Sequence, residues 1–190
     1  MENINFVNMH RYENIEKTVY QKVIEWEPKT IVELGHGSGA LTSAMGLALK
    51  KLNNNGKIYS YDINGNSIYP LGGNTVSALQ NIQDRNLTDI VSFTEGDVFK
   101  TWVKNPFCFD LLLIDIDNTW NTLYNILIAN TFINNEIKKG AKVLIEGGDP
   151  NHPRINSETL DFFNNSCNGN IFTIKHLNGS GRTSISTLTI

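Results

Sequence analysis

Residues 31 to 39 read Ile-Val-Glu-Leu-Gly-His-Gly-Ser-Gly. Glu33 stands two places before Gly35, Gly37 and Gly39, which alternate with His36 and Ser38. An acidic residue ending a short apolar run, followed by a glycine-rich turn, suits a nucleoside-containing cofactor. Glycine lets the chain turn tightly and approach a ligand without a Cβ clash. If a helix starts at Ser38, the turn also offers backbone N–H groups to polar ligand atoms. Further carboxylates recur downstream, each just after an apolar segment: Asp62, Asp97 (in Gly96-Asp97), Asp115 and Glu146. That repetition carries more weight than any one motif, because it asks for a common platform that brings the five positions together.

The elements that would supply such a platform can be read from periodicity. Apolar Ile15, Val19, Val23 and Trp26 recur about once per helical turn, so residues 12 to 26 read as an amphipathic helix ended by Pro28. Residues 30 to 34 read as the first strand, and the Ala-, Leu- and Met-rich stretch to residue 52 as its helix. Asn55-Gly56 marks a turn into a second strand, 57 to 61. Residues 64 to 73 are polar with Gly and Pro and read as a loop, with a helix expected over 74 to 85. A third strand is expected at 90 to 93 and a short helix at 98 to 104. Residues 109 to 114 are almost wholly apolar, as in a central parallel strand covered on both faces. A long helix over 119 to 137 would bury Leu123, Ile126, Leu127 and Phe132, and Lys138-Lys139-Gly140 suits its negative end. A fifth strand, 141 to 145, leads to Glu146. A short helix at 157 to 163 precedes two strands, 170 to 177 and 182 to 190, around the hairpin signal Asn178-Gly179-Ser180-Gly181. Five strands alternating with helices predict an α/β, doubly wound parallel sheet. Ligands bind such sheets at the carboxyl ends of the strands, where the five carboxylates fall.

The chain has 190 residues, enough for one domain, and no internal repeat or dividing linker. A net charge of −3 argues against a large nucleic-acid footprint. Cys108 and Cys167 stand at no metal-ligand spacing and suit a reduced, cytoplasmic setting, with Cys108 expected in the core. No apolar run approaches the roughly 20 residues of a membrane span, and the asparagine-rich first residues lack a secretory apolar region. Asparagine runs such as Asn53-Asn54-Asn55 read as compositional drift.

From about residue 28 onward the chain resembles the class I S-adenosylmethionine-dependent methyltransferases. The glycine motif at 33 to 39 matches that family's first motif, Asp62 the acidic end of its second strand, Gly96-Asp97 the turn after its third, and Asp115 its fourth-strand motif. The resemblance implies a Rossmann-like seven-stranded sheet of order 3-2-1-4-5-7-6, with strand 7 antiparallel and helices on both faces. It implies one methyltransferase domain over 1–190, in which residues 1–28 form an N-terminal helical segment that could serve as a lid. The stretch Leu113-Ile114-Asp115-Ile116-Asp117-Asn118 is similar to the small-molecule branch related to catechol O-methyltransferase and cephalosporin hydroxylase. There the final position is often His, and Asn118 departs from it.

The resemblance implies a cofactor set of Glu33, Gly35, His36, Gly37, Ser38, Gly39, Asp62, Ile63, Gly96, Asp97, Val98 and Asp115. An ionised carboxylate is acceptor-only and can take two hydroxyls, so Asp62 suits a ribose. Glu33 or Asp115 could approach the methionine ammonium group, and Asp97 the adenine amino group with Val98 beside the ring. A sulfonium cation tolerates several carboxylates, whereas a pyrophosphate is repelled. Yet Gly35-x-Gly37-x-x-Ala40 with Asp62 further on also fits the dinucleotide fingerprint. His36 could contact the ligand or face solvent. Asp117, Asn118 and Trp120 could face a substrate or cap the next helix.

Catechol-type relatives also bind magnesium, which here would fall to Asp115 and Glu146, with Asp149 as a third oxygen donor. Gly147 stands where a further ligand would follow Glu146. Asp115 and, as a general base in the loop after the fifth strand, His152 are the catalytic candidates. His10, Arg11 and Tyr12 could fold over the cofactor or fray.

The expected activity is methyl transfer to a small-molecule acceptor. The chain lacks an Asn-Pro-Pro-aromatic signature after the fourth strand, which points to an oxygen. Residues 64 to 73 and 147 to 156 would shape the acceptor pocket. The expected partners are that acceptor and, at most, a second copy in a homodimer; neither a membrane nor a nucleic acid is expected. The competing readings are an NAD(P)-dependent oxidoreductase, for which no Tyr-Lys proton donor can be placed, and a non-catalytic S-adenosylmethionine-binding protein or partner subunit.

Overall fold

Alternate strand residues point to opposite faces of a sheet, and here both sets are apolar. The computed structural model describes residues 4–7, 13–63, 68–71, 74–102, 108–116, 120–130, 141–146, 173–178 and 185–189. Strands β1 (Thr30–Leu34), β2 (Lys57–Asp62), β5 (Val91–Glu95), β6 (Leu111–Ile114) and β7 (Lys142–Glu146) are parallel and lie in the order β5-β2-β1-β6-β7. Their positions in the sheet, 3-2-1-4-5, are those expected. β9 (Ile185–Thr189) pairs antiparallel with β7, and β8 (Thr173–Asn178) pairs antiparallel with β9 at the edge, completing seven strands.

One face of the sheet gathers Val32, Leu34, Leu112, Ile114, Val143 and Ile145. Val98 of helix α4 (Val98–Thr101), Leu123 of α5 (Trp120–Tyr124), and Ile126 and Leu127 of a π-helical segment (Asn125–Asn130) cover it. The other face gathers Ile31, Ile58, Leu111, Leu113 and Leu144. Helix α1 (Glu13–Trp26) covers it with Ile15, Val19 and Val23, α2 (Ala40–Leu52) with Leu41, Met45 and Leu49, and α3 (Ala78–Gln83) with Ile82. Burial on both faces explains why the central strands carry near-continuous apolar runs.

The structure departs from the sequence expectations at four places. Residues 68 to 77, read as loop and helix start, form an antiparallel ribbon, β3 (Ile68–Leu71) with β4 (Asn74–Ser77), and α3 begins only at Ala78. Leu71 pairs with Asn74, and the sequence between them is Gly-Gly, a pair that in a sequence signals a two-residue hairpin. Pro70 is tolerated because both strands of a two-stranded ribbon are edges. The expected helix from 119 changes to π-helical hydrogen bonding at Asn125, while Leu123, Ile126 and Leu127 still face the core. Cys108 is exposed, since the buried run starts one residue later, at Phe109.

The asparagine run is structural rather than drift. Asn53 caps α2 in the left-handed region (φ 50°), and Asn55 also has positive φ (59°). Between them Asn54 accepts from the Gly56 amide at 2.9 Å. Asparagine tolerates these conformations better than most residues. The expected helix at 157–163, the helix beyond residue 130, Phe132 and the turn at 179–181 lie outside the described residues.

Candidate functional site

The carboxyl ends of β1, β2, β5, β6 and β7 meet along one edge of the sheet, and the ladder runs on just past the strand ends. The Gly35 amide donates to the Tyr61 carbonyl at 2.7 Å, that of Gly96 to Asp62 at 2.8 Å and that of Asp115 to Leu34 at 2.8 Å. Glu33 and Asp62 therefore stand at or near strand ends beside Asp115, and Glu146 closes the strand next to β6.

The glycines answer first to the protein itself. Gly35 has φ +88°, and a Cβ there would lie 2.1 Å from the Asp115 carbonyl oxygen. Gly39 has φ +76° and caps α2, with a Cβ placed 3.0 Å from Ala78 Cα. The expectation that the turn leaves its N–H groups for a ligand is corrected at four positions. The amides of His36 and Gly37 donate to Asp62 Oδ2 at 3.1 and 3.0 Å. Those of Gly35 and Gly39 donate to the carbonyls of Tyr61 and His36. The Asp62 carboxylate thus sits on the turn as a built-in anion.

Glu33 lies beneath the turn, on the face covered by α2, and is fully buried. Its Oε2 accepts from Thr42 Oγ1 of α2 at 2.7 Å and from Ser60 Oγ of β2 at 2.6 Å. Its Oε1 is buried without a hydrogen-bond partner among the described residues. Burial raises its pKa to about 7, against the two hydroxyl bonds, which favour the anion. Such an atom is costly to leave unpaired, so it is a ready acceptor for a ligand cation or a bridging water.

His36 is buried rather than solvent-facing. Its ring lies 4.6 Å from the Phe93 ring, its Nδ1 is 3.2 Å from the Gly37 carbonyl, and its Nε2 has no partner among the described residues. Burial lowers its pKa, with Asp62 opposing. Ser38 is buried, and its carbonyl accepts from Asn81 Nδ2 at 2.8 Å. Asp97 caps α4, its Oδ1 accepting from the Phe99 amide at 2.9 Å. Val98, the first residue of α4, packs into the apolar cluster beneath that helix. Ile63, after Asp62, is 67 % exposed.

Asp117, Asn118, Asp149 and His152, and residues 10 to 12, lie outside the described residues, as does the side chain of Trp120. Among the described residues no group of three or more His, Cys, Asp or Glu could hold a metal ion, and no helix is long and apolar enough to cross a membrane. The sequence reading missed Thr42, Ser60, Phe93 and Asn81. Ser60 had one signal, a small polar residue inside an apolar strand. Its pairing with Glu33 depends on the β1–β2 register, in which the two residues are partners.

No family model matches the chain, and no curated protein matches it by sequence. Solved structures do match. The O-methyltransferase from Bacillus cereus, in complex with S-adenosylhomocysteine, superposes with a TM-score of 0.68 at 15% identity, covering 98% of this chain and 84% of its own. The O-methyltransferase of tomaymycin synthesis from Streptomyces achromogenes, in complex with S-adenosylmethionine, gives 0.66 at 15%, covering 93% and 79%. A methyltransferase from Geobacter sulfurreducens gives 0.66 at 17%, covering 98% and 81%. With its strand order and its glycine turn after β1, the chain has the fold of these methyltransferases.

Proposed function

We propose that the chain catalyses S-adenosylmethionine-dependent methyl transfer to an oxygen of a small-molecule acceptor. The observation that carries this reading is Asp62 seated on the glycine turn. A dinucleotide places its pyrophosphate on the N–H groups of such a turn. Here a second anion would meet a carboxylate where donors are needed, which disfavours the nicotinamide reading. A ligand bearing a sulfonium and an ammonium group meets attraction instead. The solved neighbours named O-methyltransferases support oxygen as the acceptor atom.

S-adenosylmethionine supplies, when bound, an electrophilic methyl group on sulfur. Glu33, with one oxygen held by two hydroxyls and the other without a partner among the described residues, would receive the ammonium group, directly or through water. Asp62 and the exposed Ile63 would border the ribose side, and Gly96, Asp97 and Val98 the adenine side. Asp115, at the end of β6, would line the acceptor side, with His152 as the candidate base. The chain's main contribution would be to hold the acceptor close and in line. Asp115 and Glu146 close neighbouring strands and could lend two oxygens to a magnesium ion, which commonly keeps several waters. The enzyme would work in the cytoplasm, alone or as a homodimer.

Incubation with methyl-labelled S-adenosylmethionine and a panel of hydroxylated small molecules, with and without EDTA, tests this reading. Transfer of label to a hydroxyl is expected. Binding of the cofactor with no transfer to any hydroxyl, amine or thiol would leave a non-catalytic binding protein and overturn the enzyme reading. Loss of transfer with EDTA, restored by magnesium, would establish the metal.

A further inference from the structure

We infer that Asn81 is a positioning residue for the glycine turn and that, through Arg85, it couples the turn to the N-terminal segment. The inference rests on the turn being the cofactor site. Asn81 is buried in α3, and its Nδ2 donates to the Ser38 carbonyl at 2.8 Å. Arg85 Nη1 donates to the Asn81 carbonyl at 3.0 Å and to Asn81 Oδ1 at 3.3 Å. The same guanidinium then reaches the N-terminal segment, with Nε donating to the Asn5 carbonyl at 2.8 Å and Nη2 to that of Phe6 at 3.0 Å. One planar fork thus ties α3 to residues 5 and 6.

That segment is itself anchored. Phe6 is buried edge-on against Tyr20 of α1, with ring centroids 5.7 Å apart, and the Val7 amide donates to the buried Glu16 carboxylate at 3.0 Å. At the other end, Ala78 of α3 packs against Gly39. Helix α3 therefore holds the turn at two successive residues, Ser38 and Gly39. The held residues follow Gly37, and both Gly37 and Gly39 have positive φ. Glycine-rich backbone has many conformations to lose. A tether that fixes it beforehand spares the ligand that ordering cost and so raises affinity.

The test compares S-adenosylhomocysteine binding by calorimetry, well below the melting temperature, in the unsubstituted chain and four variants: three single substitutions and the double variant Arg85→Gln/Phe6→Ala. Asn81→Asp keeps the acceptor for Arg85 but turns an oxygen toward the Ser38 carbonyl. It should weaken binding about tenfold while largely keeping Tm. Arg85→Gln and Phe6→Ala should each weaken binding about threefold. The double variant should be no weaker than the weaker single, because both break one path. A role in folding alone would lower Tm and leave affinity unchanged. Equal affinity in the unsubstituted chain and all folded variants would overturn the coupling and spare the methyltransferase reading. If Asn81→Asp does not fold, Arg85→Gln and Phe6→Ala decide by the same comparison. Absence of binding by the unsubstituted chain would overturn both.

Discussion

Glu33 and Asp62 are both acidic and both end up buried, but the chain uses them differently. Asp62 accepts two backbone amides of the turn, whereas one oxygen of Glu33 has no partner among the described residues. Asp62→Ala removes two charge-assisted bonds of about 1.5–3 kcal/mol each, so loss of stability and weaker S-adenosylhomocysteine binding should appear together. For Glu33 the folded pKa of about 7 lies above the unfolded value of 4.5. The folded state then holds the extra proton between those values, and stability falls as pH rises across that window, by at most about 3 kcal/mol. The cost is absent below about pH 4.5 and complete above about pH 7. Denaturant melts of Glu33→Gln across this range should show that slope flattened; an unchanged slope would refute the assignment. Gly35→Ala should cost at least about 3 kcal/mol, from positive φ and the clash with the Asp115 carbonyl, read by thermal melting. The residue types at this site were legible in the sequence, because an acidic residue inside an apolar run needs a partner. Thr42 and Ser60 were not legible as those partners, because register and helix docking decide what Glu33 meets.

The long, regular elements could be read from apolar period alone. Helix α1 with Ile15, Val19 and Val23, and β6 with its four buried residues, are examples. The β3–β4 ribbon could not be read that way, because Pro70 and Gly72-Gly73 look like loop punctuation until Leu71 pairs with Asn74. Asp97 shows a similar ambiguity, since Gly96-Asp97 suits both a ligand contact and a helix start. As the N-cap of α4 it should lose about 1 kcal/mol on change to Ala and almost nothing on change to Asn, by thermal melting. Equal melting of Asp97→Ala and the unsubstituted chain would show that the cap does not contribute to stability.

At the scale of the whole molecule, the parallel order β5-β2-β1-β6-β7 gathers carboxylates scattered from residue 33 to residue 146 along one edge. Five alternations of strand and helix were enough to anticipate that. The way the edge is wired, with Asp62 folded back onto the turn, depends on tertiary placement. On the proposed reading, this wiring favours a cationic nucleoside ligand over a dinucleotide. Isothermal titration of the chain with S-adenosylhomocysteine and, separately, with NAD tests that distinction directly. Saturable binding of S-adenosylhomocysteine, lost or much weakened in Asp62→Ala, and no heat from NAD are expected. Saturable NAD binding with no response to S-adenosylhomocysteine would contradict it.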